Sequence, residues 1–346
     1  MNLSLRTSGV IKLISSFFTL FLLCSAPLDA ADLSNWMRDQ AQKVPGFSEL
    51  PITQIAMPGS HDSLTYNLDK EKRSKGALGF AAKIPLIGKA IVNISKAQGD
   101  DLIGQFNNGA RYFDVRIALT DKGFEGVHGL YNGPIDKSFQ DFKDYLLKHP
   151  GEVVILDFQS IDAPNKQELV DLLSKIFGTL IYRSSKGAVN VTYGNLVNSG
   201  ARVIIFMKGG SVLDSTGTVF ERVRNLKSFW HDETDPEKLT ESIIAKEEKT
   251  PRDLNMIYVI QAQTTPSTAS ATKSILKSVV TLGFKGGLKD DAKKSLKHQD
   301  KLLDRAASNP VFLNAINVFM VDHVNATQAQ KIIDLNALKV SAAQAR

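Results

Sequence analysis

Short runs of almost exclusively apolar residues recur along the chain, and they restrict its fold more than any other feature of the sequence. Three of them span residues 153–158, in which Asp157 is the one polar residue, 203–207 and 318–321. A run without polar alternation is typical of a strand buried on both faces of a parallel sheet. Between such runs lie segments with a single apolar stripe at helical spacing, as in residues 169–177. This alternation predicts an α/β fold, although periodicity alone leaves open a barrel or a doubly wound sheet.

Polar residues directly after a predicted strand indicate where a site would form. The first largely apolar stretch, residues 52–57, is broken by Pro58 and Gly59, and His61 and Asp62 follow after Ser60. A Pro-Gly pair turns the chain at the surface, so the histidine and the carboxylate would stand at the carboxyl end of the strand. In α/β barrels the active site is assembled at that end.

Two further predicted strands carry residues of the same kind. The strand at residues 112–118 contains Asp114 and Arg116, and the strand at 124–127 ends at His128. The chain therefore places a histidine at the end of two strands, with an acidic and a basic residue on a third. Histidine is the side chain best suited to proton transfer near neutral pH, so these residues are candidates for acid–base catalysis.

The charge of the chain favours an anionic partner. Its 346 residues include 42 Lys and Arg against 36 Asp and Glu, a formal net charge of +6. Such an excess suits attraction to an anionic membrane surface. It would also suit nucleic acid, but no DNA- or RNA-binding motif is present and the lysines are scattered, so we expect no nucleic-acid partner.

The N-terminus has the pattern of a secretory signal peptide. Basic residues precede an apolar run at 13–23, which is short for a membrane span, and small residues lead to Ala30. We expect residues 1–30 to be cleaved and the protein to be exported, either secreted or periplasmic; an uncleaved anchor is the alternative. The one cysteine, Cys24, would leave with the signal, so the mature chain would have neither a thiol nor a disulfide.

Two segments, residues 70–96 and 273–301, combine lysines with leucine, isoleucine and phenylalanine. The simpler interpretation is a helical hairpin and a surface helix packed on the main sheet. The functional alternative is a basic, apolar, membrane-facing insertion near the site. No repeat, low-complexity tract or linker interrupts residues 31–346, which we expect to form a single domain.

Five motifs, in order along the chain, resemble the X domain of phosphatidylinositol-specific phospholipase C. The resemblance is to the bacterial enzymes and to animal proteins that consist of the X domain alone, and it covers residues from about 50 to 325. It implies a distorted, partly open TIM-like (β/α) barrel. We also expect the protein to be a monomer. The motifs are PGSHDS at 58–63, GARYFDVR at 109–116, VHGLYNG at 127–133, EVVILDFQ at 152–159 and NVFMVD at 317–322.

The resemblance implies a role for each candidate residue. His61 would be the general base, oriented by Asp322, and His128 the general acid, supported by Asp62. Arg116 would bind the non-bridging oxygens of the phosphate. Asp114, Gln159 and Lys208 are expected to contact the substrate. Asp114 is also a candidate for supporting His128 together with Asp62. Cleavage by the 2-hydroxyl of the substrate needs this base, cation and acid.

The same comparison predicts a site without a metal or other cofactor. The calcium-dependent eukaryotic relatives carry acidic residues where this chain has Arg116 and Gln159. A guanidinium in place of a metal ligand repels Ca²⁺ and supplies the positive charge directly. The bacterial enzymes have Lys in place of Gln159 and Arg in place of Lys208, so the contacts to inositol hydroxyls are expected to differ.

Three functions are compatible with these observations. The first is an exported phospholipase C that converts phosphatidylinositol to diacylglycerol and inositol 1,2-cyclic phosphate, a phosphatidylinositol diacylglycerol-lyase. The second is a catalytically weak module that binds phosphoinositide membranes; the two histidines favour the enzyme over it, because a binding module does not need them. The third is a glycerophosphodiesterase-type hydrolase, which would need acidic metal ligands at the positions that Arg116 and Gln159 occupy. His231 belongs either to a substrate loop or, more simply, beside Trp230 in the core.

Overall fold

The computed structural model describes residues 32–68, 71–74, 88–184, 191–209, 217–267, 281 and 286–345. Its strands are β1 (Met57–Ser60), β2 (Tyr112–Thr120), β3 (Gly123–His128), β4 (Leu130–Pro134), β5 (Val154–Asp162), β6 (Val203–Met207), β7 (Phe220–Glu221), β8 (Leu226–Phe229), β9 (Ile257–Gln261) and β10 (Val318–Val321).

Helices alternate with most of these strands. They are α1 (Trp36–Lys43), α2 (Gly88–Ser95), α3 (Leu102–Asn107), α4 (Ile135–Leu147), α5 (Gln167–Phe177), α6 (Tyr193–Ser199), α7 (Arg222–Asn225), α8 (Pro236–Lys249), α9 (Leu288–Ser308), α10 (Pro310–Ala315) and α11 (Ala326–Gln344), with 3-10 turns at Phe47–Glu49 and Gly178–Leu180.

Eight strands form one curled parallel sheet in the order β7-β6-β5-β2-β1-β10-β9-β8. The two edge strands, β7 and β8, are not paired with each other in the described part of the chain, where the short helix α7 connects them. The sheet is therefore a barrel left open on one side. This confirms the predicted single-domain α/β fold, a distorted, partly open TIM-like barrel.

The alternation of side chains along β2 shows how the barrel aims its polar residues. Tyr112 packs with Ile155 in the cluster inside the barrel, whereas Phe113 packs in the outer cluster between the sheet and the helices. Successive residues of a strand point to opposite faces. Asp114 and Arg116 therefore point to the same side as Tyr112, into the barrel, but nearer its carboxyl-end mouth.

The second motif contains two arginines, one directly before β2 and one in its middle. Arg111, which precedes β2, is fully buried and contacts the buried carboxylate of Glu152 at 2.6 Å. Glu152 also accepts hydrogen bonds from the Met37 and Arg38 backbone N–H groups, which begin α1. Through Glu152, Arg111 thus connects the N-terminal helix to the closed end of the barrel. Arg116 has a different place, near the open end beside His61.

One strand pair differs from the predicted parallel layout. β2 and β3 are antiparallel, and β3 pairs antiparallel with β4, a strand the sequence did not indicate. The reason is the connection, because only Asp121 and Lys122 separate β2 from β3. A parallel crossover needs a dozen residues or more, whereas two residues suffice for a hairpin. The short edge strands β7 and β8 were also not predicted.

The described ends of the two lysine-rich segments pack on the barrel. In the first, α2 buries Ile91 and Ile94 against Leu68 and Leu130. In the second, α9 buries one face and exposes its lysines, including Lys297. The packed-helix interpretation fits these parts. Residues 75–87, 268–280 and 282–285, on which the membrane-facing alternative depends, lie outside the described residues.

The predicted signal peptide, residues 1–30, also lies outside the described residues. Within the described ranges, none of the helices combines the length and the apolar character that crossing a bilayer would need.

Candidate active site

Adjacent strands bring His61 and Asp322 together at the mouth of the barrel. β1 and β10 are parallel neighbours, and the His61 N–H donates a hydrogen bond to the Val321 carbonyl at 3.1 Å. The His61 Nδ1 atom lies 2.7 Å from Asp322 Oδ1, and the Asp322 side chain is only 5% exposed. An ionised carboxylate can only accept, so Nδ1 carries the hydrogen and Nε2 faces the mouth.

Arg116 lies across the centre of the site. Its Nη2 atom is 2.9 Å from His61 Nε2 and 3.1 Å from Asp114 Oδ2, and its Nε atom is 2.6 Å from Asp62 Oδ1. Nε also donates to Gln159 Oε1 at 3.0 Å. Burial disfavours the guanidinium, but the charges of Asp114 and Asp62 outweigh this effect and raise the pKa of Arg116. The group is a permanent cation held by four neighbours.

The register of the sheet explains how Gln159 reaches Arg116. Val115 is opposite Phe158, but the next residue, Arg116, is opposite Ser160, so β5 has one extra residue, Gln159, at this level. Such bulges redirect side chains and are frequent beside active sites. The bulge brings the Gln159 amide to the guanidinium.

Asp62 occupies the position between the two histidines. Its Oδ2 atom is 3.4 Å from His61 Nε2 and 3.5 Å from His128 Nε2. The residue is 1% exposed, has a positive φ of 44°, and donates its backbone N–H to Asp114 Oδ2 at 3.2 Å. Burial alone would raise its pKa, but His128, His61 and Arg116 together lower it. Asp62 is therefore ionised, and its unusual backbone conformation aims the carboxylate into the site.

His128 reaches the site because its strand runs backward. β2 and β3 pair through Ile117 to Thr120, beyond the mouth of the barrel, and β3 then returns toward the level of Arg116, where it ends at His128. His128 Nδ1 lies 2.9 Å from the carbonyl oxygen of Ser95, the last residue of α2. A carbonyl only accepts, so Nδ1 is the donor and Nε2 faces Asp62.

The electrostatic balance at His61 has a direct chemical consequence. Burial opposes its protonation, but the charges of Asp62 and Asp322 and the hydrogen bond to Asp322 together raise the pKa of His61 to about 9. The 2.9 Å contact from Arg116 Nη2, a donor, requires a neutral acceptor at Nε2. The two observations belong to the two charge states of His61. The Asp62 and Asp322 carboxylates stabilise its protonated form, and Arg116 donates to Nε2 of its neutral form.

The predicted residues separate into one cluster and two neighbours. The structure joins six of them through direct contacts, namely His61, Asp62, Asp114, Arg116, His128 and Asp322. Gln159 contacts this cluster through Arg116. Lys208 directly follows β6 at the same edge of the sheet, with an exposed side chain, and the described contacts do not connect it to the cluster.

A metal does not fit the cluster while Arg116 keeps this position. In the described ranges, His61, Asp62 and Asp114 are the one group of His and carboxylate residues close enough to share an ion, with ligand atoms within 4.8 Å of one another. The Arg116 guanidinium contacts an atom of each of them. A divalent cation would have to displace this positive charge, which repels it.

Two contacts of the site were not predicted from the sequence. The Ser95 carbonyl contacts His128, and the Gln98 side chain contacts the backbone of His61. Neither residue belongs to an apolar run or a recognisable motif, so no local signal marks them. The prediction that His231 lies beside a core tryptophan is wrong. Trp230, which directly follows β8, is 57% exposed, and the His231 ring forms a hydrogen bond with the Ser242 hydroxyl.

The chain resembles known proteins both in sequence and in fold. No family model matches the chain. Human PI-PLC X domain-containing protein 3 is 25% identical over 256 residues, which cover 70% of this chain and 78% of the human protein. Among solved structures, phosphatidylinositol-specific phospholipase C from Listeria monocytogenes aligns over 88% of this chain and 99% of its own, with a TM-score of 0.62 and 14% identity.

A mutant of the phosphatidylinositol-specific phospholipase C from Staphylococcus aureus aligns with a TM-score of 0.57 and 18% identity, over 88% of this chain and 98% of its own. At such identities the structural match establishes the fold, and the sequence match to the X domain-containing proteins establishes the relationship. The chain is therefore a homologue of the PI-PLC X domain-containing proteins, with the fold of the bacterial phosphatidylinositol-specific phospholipases C.

Proposed function

We propose that the protein is a phosphatidylinositol-specific phospholipase C, which cleaves phosphatidylinositol to diacylglycerol and inositol 1,2-cyclic phosphate. One observation carries the proposal. The Nε2 atoms of His61 and His128 lie 3.4 and 3.5 Å from the same Asp62 oxygen, with the Arg116 guanidinium beside them. Two facing imidazoles and a fixed cation are what an intramolecular phosphoryl transfer requires.

In the proposed reaction the inositol 2-hydroxyl attacks phosphorus while His61 Nε2 takes its proton. The bond from O2 to phosphorus forms, and the bond from phosphorus to the glycerol oxygen breaks. His128 Nε2 gives its proton to that oxygen, which leaves as diacylglycerol. Asp322 stabilises the imidazolium that forms at His61, and Arg116 turns from His61 Nε2 to a non-bridging phosphate oxygen.

The same arrangement supports a reaction that needs no metal. Arg116 supplies a cation at the place where charge develops on the phosphate, and a guanidinium can bind two phosphate oxygens at once. The Asp62 and Asp114 carboxylates hold it in place at 2.6 and 3.1 Å.

We further propose that the protein is exported and works as a monomer at a membrane that contains phosphatidylinositol. Its net charge of +6 favours an anionic surface. Phe229 and Trp230, at the carboxyl end of β8 and hence on the mouth side of the barrel, are 50% and 57% exposed. Exposed aromatic side chains beside a site are suited to the membrane interface.

The direct test uses the purified protein and vesicles of phosphatidylinositol, with phosphorus NMR to follow the cyclic phosphate. We expect its formation at the same rate with and without EDTA. Binding to the vesicles without cyclic phosphate would instead identify a phosphoinositide-binding module. Loss of activity with EDTA and its recovery with Ca²⁺ would contradict the assigned role of Arg116.

The raised pKa of His61 predicts where one limb of the pH profile lies. A base must be unprotonated, and below a pKa of about 9 most of His61 carries a proton. Because His128 must keep its proton while His61 loses its own, kcat/KM with a soluble, monomeric substrate should follow a bell-shaped pH profile with one limb near pH 9. Asp322→Asn removes a charge that raises the pKa of His61, so this limb should move to lower pH while the maximum falls. An unshifted limb in Asp322→Asn would show that Asp322 does not act on the base.

A further inference from the structure

The end of the first lysine-rich segment passes directly beside both histidines. Helix α2 ends at Ser95, and the chain continues through Lys96 and Ala97 to Gln98. We call these four residues the strap. The strap contacts His61 and His128 directly, and it contacts the loops that follow His61 and Asp322.

The Gln98 side chain bridges the two strand ends that carry His61 and Asp322. Its Nε2 atom donates to the His61 carbonyl at 2.8 Å and to the Val321 carbonyl at 3.2 Å. Its Oε1 atom accepts from the Val324 N–H at 3.2 Å. An amide has two donor hydrogens and an acceptor oxygen, and here both kinds are used on backbone groups. Because Gln98 is 1% exposed, these bonds do not compete with bulk water.

The other end of the strap contacts His128. The last carbonyls of a helix have no partner within the helix. The one at Ser95 accepts from His128 Nδ1 at 2.9 Å. This contact leaves Nε2 of His128 pointing to Asp62, the orientation that proton donation to the leaving group needs.

The middle of the strap is fixed on both sides. The Ala97 N–H donates to Thr65 Oγ1 at 2.9 Å, and the Ala97 carbonyl accepts from the His323 N–H at 2.8 Å. Thr65 belongs to the loop after His61, and His323 follows Asp322. The loops that follow β1 and β10 thus hold the strap on both sides. A shift of the strap would therefore shift these loops as well.

We propose that the strap, through the Gln98 side chain and the Ser95 carbonyl, is the element that positions both proton-transferring histidines relative to each other. Gln98 is then a positioning residue: it does not touch the reacting atoms, but it sets the distance between His61 and Asp322. This inference rests on the proposed function for its catalytic meaning. Its geometric content can be tested without turnover.

The test is the replacement Gln98→Met, which keeps the length of the side chain and removes its hydrogen bonds. The two strand ends would separate, and the 2.7 Å contact from Asp322 to His61 would lengthen. We expect the pKa of His61, measured by ¹⁵N NMR of the imidazole ring, to fall by about one unit or more from its raised value. With a monomeric substrate kcat should fall about tenfold with KM little changed, as expected when alignment is lost.

Asn336→Leu is the matched control. Asn336 is also a fully buried amide. It forms hydrogen bonds with the backbone N–H and carbonyl of Ala56, which directly precedes the first residue of β1, at the end of the strand opposite to His61. Its replacement should lower the melting temperature to a similar extent and leave the pKa of His61 unchanged. If Gln98→Met does not fold, Gln98→Asn keeps an amide that is too short to span both carbonyls, and it should show the same direction of change.

Two outcomes decide the matter. An unchanged pKa of His61 in the Gln98 variants, with only a lower melting temperature, would overturn the proposal and leave Gln98 as a structural residue. A lowered pKa of His61 in the Gln98 variants, together with no cyclic phosphate formed by the unmodified protein, would support the strap and reject the proposed function. The NMR measurement therefore separates a failure of one from a failure of the other.

Discussion

Replacement of His61 or His128 by alanine is expected to lower the turnover of phosphatidylinositol by about 10²-fold or more, the usual contribution of a general acid or base. Each histidine presents Nε2 to the same Asp62 oxygen, and each has its Nδ1 held by a separate acceptor, Asp322 or the Ser95 carbonyl. Neither histidine is needed for the core, so vesicle binding should be retained. Turnover assays and vesicle sedimentation of the same preparations measure both effects.

The two roles can be distinguished by the leaving group. A substrate whose leaving group has a low pKa needs little help from an acid, so it should partly restore the activity of His128→Ala and not that of His61→Ala. His149→Ala is a suitable control, since His149 lies after α4 and packs against Tyr145 and Phe106, outside the cluster. Equal restoration of both site variants would contradict the assignment of base and acid.

The second large effect is expected at Arg116. Arg116→Lys should lower turnover by about 10²- to 10³-fold, as the loss of a fixed donor at the developing charge does in other enzymes. A lysine is a point charge, and it cannot reproduce contacts from two different nitrogens to His61, Asp62 and Asp114. The measurement is kcat and KM with a monomeric substrate.

Arg224→Lys is the matched control for this change. Arg224 is exposed on α7, and no shift of activity is expected from its replacement. Activity of Arg116→Lys close to that of the unmodified protein would mean that a diffuse positive charge suffices. The guanidinium geometry would then not be the feature that stabilises the transition state.

Much of the fold was predictable because burial leaves a periodic record in the chain. β6, β10 and the core of β5 were predicted closely, since a strand covered on both faces is apolar at nearly every position; the buried Asp157 of β5 is paired with Arg222. β8 was not predicted, because its residues Leu226 to Phe229 alternate in burial and it lies at an edge. A four-residue edge strand buries too little to leave a clear pattern.

The composition of the site was also indicated by the sequence. Parallel strands present their carboxyl ends at one edge, so the polar residues after each apolar run had to meet there. His61, Asp114, Arg116 and Asp322 follow from this rule together with the alternation of side chains. The resemblance to a known family added their expected roles, which the experiments above address.

What the sequence by itself determined is therefore the class of fold and the edge of the sheet at which the polar residues gather. Only the tertiary structure decided how they are connected. It returned His128 to the site on an antiparallel hairpin, placed Arg116 among three possible metal ligands, and introduced Gln98 between two strand ends. The physical reason is that periodicity reports the burial of each residue separately. A hydrogen bond such as that from Gln98 to Val321 joins residues 223 positions apart, and nothing local in either segment records it.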